Sequence, residues 1–211
     1  GTEGRTTVSV DPPAAAHGLT RQPDHKILVL GAANGPSPRV FQLIVARFEP
    51  NGSPDTTFGD NGVASEPMPS VTPVDIAVDG SGEIVAATAG YGSSLTRVLP
   101  DGTVDQSFGR NGWAGRGDAT FSSIAIRKSG RIVAAGSSPG CYFALLGFQA
   151  DGERDHSFAP EGKVESTFPG GATGRYEAMR IDPQGRIVAA GVTLKRKCGP
   201  EDDFALARYV H

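Results

Sequence analysis

Aromatic residues make up only 7% of this 211-residue chain, with a single tryptophan. No apolar run approaches the roughly 18 residues of a membrane-spanning helix, which excludes a helical span. No charged-then-apolar leader opens the sequence, so the chain is either cytoplasmic or has had a leader removed. A net charge of -3 with both signs interspersed leaves no basic stripe, which argues against a nucleic-acid partner. No apolar stripe of 3.6-residue period runs through any segment, which excludes a solenoid of helices. His17, His25, His156 and His211 share no spacing with one another or with ligand-type partners, so neither a metal nor a cofactor is expected. There is no nucleophile-elbow serine and no phosphate-cradling glycine loop. A ring fold can still assemble catalytic groups from distant segments.

Glycine and proline, in contrast, are abundant: 29 and 16, together more than a fifth of the chain. That composition describes many tight turns joining short strands. The turns recur. Asn51 to Gly62 (NGSPDTTFGDNG), Asp101 to Gly112 (DGTVDQSFGRNG) and Asp151 to Gly162 (DGERDHSFAPEG) are three copies of one phrase. Asp55, Asp105 and Asp155 follow at intervals of fifty, as do Phe58, Phe108 and Phe158. A repeat of this length fixes the architecture before any residue is read for chemistry.

Each unit divides into four short apolar stretches. The first lies at Leu19 to Arg21, Val74 to Val78, Ile124 to Ile126 and Met179 to Ile181. The second follows a turn: KILVLG from Lys26, EIVAAT from Glu83, and RIVAAG from Arg131 and again from Arg186. These runs are too short for helices and apolar on both faces, as in a strand covered from two sides. The third is Ile44 to Phe48, Ser94 to Val98, Phe143 to Phe148 and Phe204 to Tyr209, and the fourth begins at Gly62, Gly112 and Gly162. Four short strands per unit is the spacing of a β-propeller blade.

The expected fold is therefore all-β, a β-propeller of four blades of four antiparallel strands. One domain spans residues 1–211, with units at about 15–66, 71–117, 121–168 and 175–211, the last completed by 3–10. Glu3 to Thr7 aligns with Glu161 to Glu165, so the segment Arg5 to Val10 is expected to close the ring as the missing fourth strand, leaving no free edge and a monomer. A fragment of a longer array, or two chains sharing one larger ring, are the alternatives.

Arg186 to Gly191, Phe204 to Tyr209 and Asp101 to Gly112 resemble the delta-60 repeat, a bacterial family of large, mostly secreted or surface-attached proteins, and the likeness covers nearly the whole chain. It departs at His25, where the family has a turn glycine, and at Ala159-Pro160, where the third loop lacks one. The resemblance implies a propeller-like module, extracellular or at the cell surface with its leader removed, and carries no catalytic residues.

Asp55, Asp105 and Asp155 have the placement of turn braces, accepting backbone N–H bonds while Phe58, Phe108 and Phe158 anchor each loop. A calcium site would need further oxygens, and D-x-D-x-D spacing is missing. Function is expected where the units differ, in the loops between second and third strands. Candidate ligand-binding residues there are Arg39, Tyr91, Tyr142, Lys195, Arg196, Lys197, Asp202 and Asp203. The charge run from Lys195 to Asp203 reads either as a ligand site or as a self-paired solvated face. Tyr176 and Trp113 read as core aromatics or as platforms for a sugar ring. Cys141 and Cys198 lie in equivalent loops of adjacent units, where a disulfide of roughly 3 kcal/mol and two free thiols are both open. The functional expectation is a non-catalytic module that binds a protein or glycan through its variable loops. The alternatives are a carbohydrate hydrolase or lyase at the axial opening and a structural spacer.

Overall fold

A computed structural model describes residues 4–11, 14–35, 40–69, 71–90, 92–115 and 117–210, with the side chains at 40, 69 and 71 left aside. The candidates Arg39 and Tyr91, and the outermost positions 3 and 211 of the expected units, lie outside these residues. No described helix is long and apolar enough to cross a membrane.

Four antiparallel sheets follow one another along the chain. The first contains β1 (Ala14–Arg21), β2 (Ile27–Asn34), β3 (Val40–Phe48) and β4 (Val63–Pro69) in sequence order. The second contains β5 (Val71–Val78), β6 (Ile84–Gly90) and β7 (Ser94–Val98). The third contains β8 (Thr120–Ile126), β9 (Ile132–Ser138), β10 (Tyr142–Phe148) and β11 (Lys163–Ser166). The fourth contains β12 (Gly174–Ile181), β13 (Ile187–Leu194) and β14 (Glu201–Tyr209). All four units thus form their first three strands at the apolar runs, each hairpin closed by its short turn.

Among the described residues two sheets have three strands rather than four. In the second unit the described residues after Gly112 make two isolated bridges, Leu95 to Ala114 and Arg110 to Trp113, and no ladder. Only 12 positions separate Gly112 from Ile124, against 14 from Gly62 to Ile76 and 17 from Gly162 to Met179. With Gly115 and Gly117 inside that span, the chain turns to β8 before an outer strand can form. In the fourth unit, residues 6–10 form no strand and β14 pairs with β13 alone. The ring closure expected from Arg5 to Val10 is therefore not made by hydrogen bonds among the described residues.

The sheets pack in series through their first strands: β1 against β5, β5 against β8, β8 against β12. Three apolar cores fill the three junctions. Leu30, Leu43 and Phe58 meet Ile76 and Ile84; Val85 and Leu95 meet Phe121 and Ile132; Phe143 and Leu145 meet Tyr176 and Met179. Every first strand carries a bulge at the same place, between Ala16 and Gly18, Pro73 and Asp75, Phe121 and Ser123, and Tyr176 and Ala178. In the third sheet a Cβ on Gly136 would stand 1.9 Å from the Thr120 carbonyl oxygen, which excludes any larger residue there, whereas the second sheet holds Thr88 at the matching register. At the bulges a side-chain relay ties β5, β8 and β12 together: Ser123 Oγ donates to Asp75 (2.9 Å) and accepts from the Met179 amide (3.2 Å).

Candidate functional site

The three repeated loops are braced by their aspartates. One carboxylate oxygen accepts from the amide and hydroxyl two residues on: Thr57 to Asp55 (3.0 and 2.6 Å), Ser107 to Asp105 (2.9 and 2.6 Å), Ser157 to Asp155 (3.0 and 2.6 Å). The other oxygen takes cations. Asp55 Oδ2 accepts from Arg47 Nε (2.6 Å) and Lys26 Nζ (2.7 Å), and Asp105 Oδ2 from Arg97 Nε (2.8 Å) and Nη2 (2.6 Å). Where the third unit has Gly147 in place of that arginine, Asp155 Oδ2 has only the half-exposed Arg131 at 3.5 Å, and Gln149 instead donates to Oδ1 (2.9 Å), the oxygen that already takes Ser157. Phe58, Phe108 and Phe158 are buried beneath, and the Arg47 and Arg97 guanidiniums sit over the first two rings at 4.4 and 5.2 Å.

The loops are also joined to each other. Gly59 N–H donates to the Asp101 carbonyl (2.7 Å) and Gly109 N–H to that of Asp151 (2.6 Å). Arg47 and Arg97 each extend an Nη1 to a carbonyl one unit on, Pro100 (2.9 Å) and Ala150 (2.8 Å). With both oxygens of each aspartate occupied, these loops are braces between units.

Burial opposes ionisation of Asp55, but hydrogen bonds from Lys26, Thr57 and Arg47 outweigh it and hold the carboxyl well below the ordinary range. The Ser107 hydroxyl lowers Asp105, aided by Arg97; at Asp155 the bonds from Ser157 overcome the cost of burial. Glu165 is lowered by Lys163 and Ser138. The opposite shift falls on Tyr176, whose phenol is pushed up by burial and by its hydrogen bond with Tyr209.

On the other side, the loops after β9 and β13 are joined by a disulfide between Cys141 and Cys198, with Cα atoms 5.4 Å apart. Both cysteines hold left-handed backbone, φ 61° and 55°, and the Cys141 carbonyl accepts from Gly174 N–H (2.7 Å). Around this link lie most of the sequence candidates. Lys197 Nζ stands 4.9 Å from the centre of the Tyr142 ring and donates to its hydroxyl (3.2 Å). Lys195 faces Asp202 at 3.9 Å, Arg196 is exposed, and Asp203 is tied by its backbone to Thr193. Sequence reasoning missed Arg175, which pairs with Glu177 and Glu201 (2.9 and 2.5 Å) beside them; its position in a first strand gave no signal of reaching this surface.

A cleft of about 800 Å³ opens on the repeated-loop side. Trp113, Arg110, Asp118, Phe148, Glu153 and Arg154 line it. It exists because the second sheet has no fourth strand to cover this flank. Arg154 lies over the Phe148 ring at 4.6 Å and pairs through Nη2 with Asp118, while its buried Nη1 has no hydrogen-bond partner among the described residues. The signal in the sequence was the short Gly112-to-Ile124 interval.

Residues 22–58, from the β1–β2 turn to the first loop's phenylalanine, match a β-propeller domain of unknown function (DUF5122). The chain is similar to a solved structure of a protein of unknown function from Bacteroides caccae, with 11% identity and a TM-score of 0.49, over 92% of this chain and 61% of that one. It thus spans about 61% of the length of that neighbour. No curated protein matches. Residues 22–58 are thus similar to a β-propeller domain to which no function is assigned.

Proposed function

We propose that this chain is a non-catalytic, secreted or cell-surface β-propeller module that binds a protein or glycan through its variable loops. The observation that carries the reading is the Cys141–Cys198 disulfide, which joins loops of two neighbouring sheets and fixes Tyr142, Lys195, Arg196 and Lys197 on one surface. Such a link has two consequences. It limits the entropy lost when a partner is bound, and it suits an oxidising compartment. The braced loops opposite supply the rigid scaffold on which variable loops serve as a recognition surface. The carboxyls whose acidity is displaced (Asp55, Asp105, Asp155 and Glu165 among them) are all held in the charged form, the reverse of what a general acid needs, so the hydrolase or lyase alternative gains no support from them.

The test is a glycan-array and pull-down screen of the oxidised chain against the reduced chain and the variant K195A/R196A/K197A. Binding by the oxidised chain that falls at least tenfold in both is expected. A ligand held equally by all three would refute the loop surface, and a silent screen would leave the spacer reading. A second reading concerns the cleft, whose aromatic and paired polar side chains suit a saccharide. Trp113 is the chain's sole tryptophan. Its emission should shift on titration with oligosaccharides, irrespective of reductant, if the cleft is used.

A further inference from the structure

The two ends of the series expose apolar faces whose counterparts in every internal unit are buried. On the fourth sheet, Phe204 is 98% and Leu206 69% exposed. The equivalent residues Phe143 and Leu145 in the third sheet, and Leu43 and Val45 in the first, are covered by the sheet that follows. Ala190 is likewise exposed where Leu30, Ala87 and Ala135 are buried. On the opposite face of the first sheet, Leu19 is 71% exposed, whereas Ile76, Ile124 and Met179 at the same register are buried by the sheet before. Ile27 and Val29 are half-buried there, against fully buried Ile84, Ile132 and Ile187, and Ala86, Ala134 and Ala189.

These faces are the two halves of one junction that the chain already builds three times. The unpaired strand edge has the same logic. In the first and third sheets the outer strand, β4 or β11, pairs with the third strand of its own unit and then runs into the first strand of the next. Among the described residues β14 has no outer partner, and residues 6–10 (TTVSV), which precede β1, form no strand of their own, with Arg5 before them held in a single bridge. Arg208 is exposed where Arg47 and Arg97 reach a carbonyl one unit on.

We propose that two copies of this chain associate head to tail, the Leu19 face of one covering the Phe204–Leu206 face of the other, with residues 5–10 added to the β14 edge. One movement supplies both the buried face and the outer strand, in the order used inside the chain. Because the contact joins unlike faces, it either closes into a ring or grows. Two copies give eight sheets, within the four to eight typical of propellers, whereas three copies would exceed it. The inference is independent of the ligand reading above.

Light scattering and sedimentation of the 211-residue chain are expected to give twice 21.8 kDa. The variants F204D/L206E and L19D each lose one face at an exposed position. Both should run as monomers at concentrations where the parent is dimeric, with unchanged far-UV circular dichroism. Mixed together they should form a heterodimer, since each retains the face the other has lost; a contact between like faces would not be restored. A parent that stays monomeric at all concentrations overturns the proposal, leaving the end faces to a further repeat of the same polypeptide. So does a dimer that survives both variants.

Discussion

Replacing Asp55 tests the idea that the repeated loops are braces whose strength depends on their cation partners. Its side chain is 1% exposed and Arg47, at 7%, is buried beside it, with Lys26 completing the set. Asp55→Ala removes the carboxylate paired with the buried guanidinium and leaves that charge uncompensated, a change that costs about 3–5 kcal/mol. Asp155→Ala removes an equally buried carboxylate, but its cation, Arg131, is 46% exposed and can be solvated once the partner is gone. The loss there is that of the turn bonds from Ser157 and Gln149 and of a longer-range attraction to Arg127, about 2 kcal/mol. In urea denaturation at a slope of ~2.5 kcal/mol per M, the midpoint should fall by about 1.5 M for Asp55→Ala and by roughly half that for Asp155→Ala. Asp55→Asn should cost as much as the alanine, since it keeps the shape and discards the charge. Adding Arg47→Met to Asp55→Ala should recover much of the loss. If Asp155→Ala proves the more costly, or Asp55→Asn is neutral, the charge-pair account of the loops is wrong.

Two further outcomes follow from the same geometry. Opening the Cys141–Cys198 link, by reductant or by a double serine variant, releases a closure across 57 positions. In the chain-entropy model this lowers stability by about 4 kcal/mol, seen as a fall of ~10 °C in the calorimetric midpoint; an unchanged midpoint would show the bond to be absent or strained. Asp55, Asp105 and Asp155 have folded-state acidities below their unfolded values. Their contribution is therefore complete above the unfolded pKa of about 3.9 and is lost as the pH falls through the lower folded values. Urea midpoints should hold steady from neutrality to about pH 5 and drop below pH 4, and Asp55→Asn should flatten that drop.

The parts of the fold legible in the sequence were those that depend on local pattern. A strand such as Arg186 to Gly191 is defined by a turn, a short apolar run and small residues, all adjacent in the chain, and β13 forms there. What stayed hidden depends on chain length and on partners far away. Trp113 follows Gly112 just as Val63 and Lys163 follow their glycines, so local pattern placed it at the head of a fourth strand; the shorter path to β8 removed the strand and left a cleft. Arg47 and Arg97 occupy matching positions eight residues before their aspartates, a spacing visible in the sequence, yet their bond to the next unit's carbonyl needs the stacking to be known. His25 shows the converse. It lacks the glycine that its turn favours, and the turn forms regardless, with His25 at φ 74°.

The links between the repeated loops all run one way, with Gly59 and Arg47 of the first unit giving hydrogen bonds to the second, and Gly109 and Arg97 of the second giving them to the third. A polypeptide emerging from its N-terminus would therefore finish each loop with its donors still in water and hand them over only when the next repeat arrives. Growth of the array becomes vectorial. Each completed unit is a template that waits for its successor, and folding can keep pace with synthesis one repeat at a time.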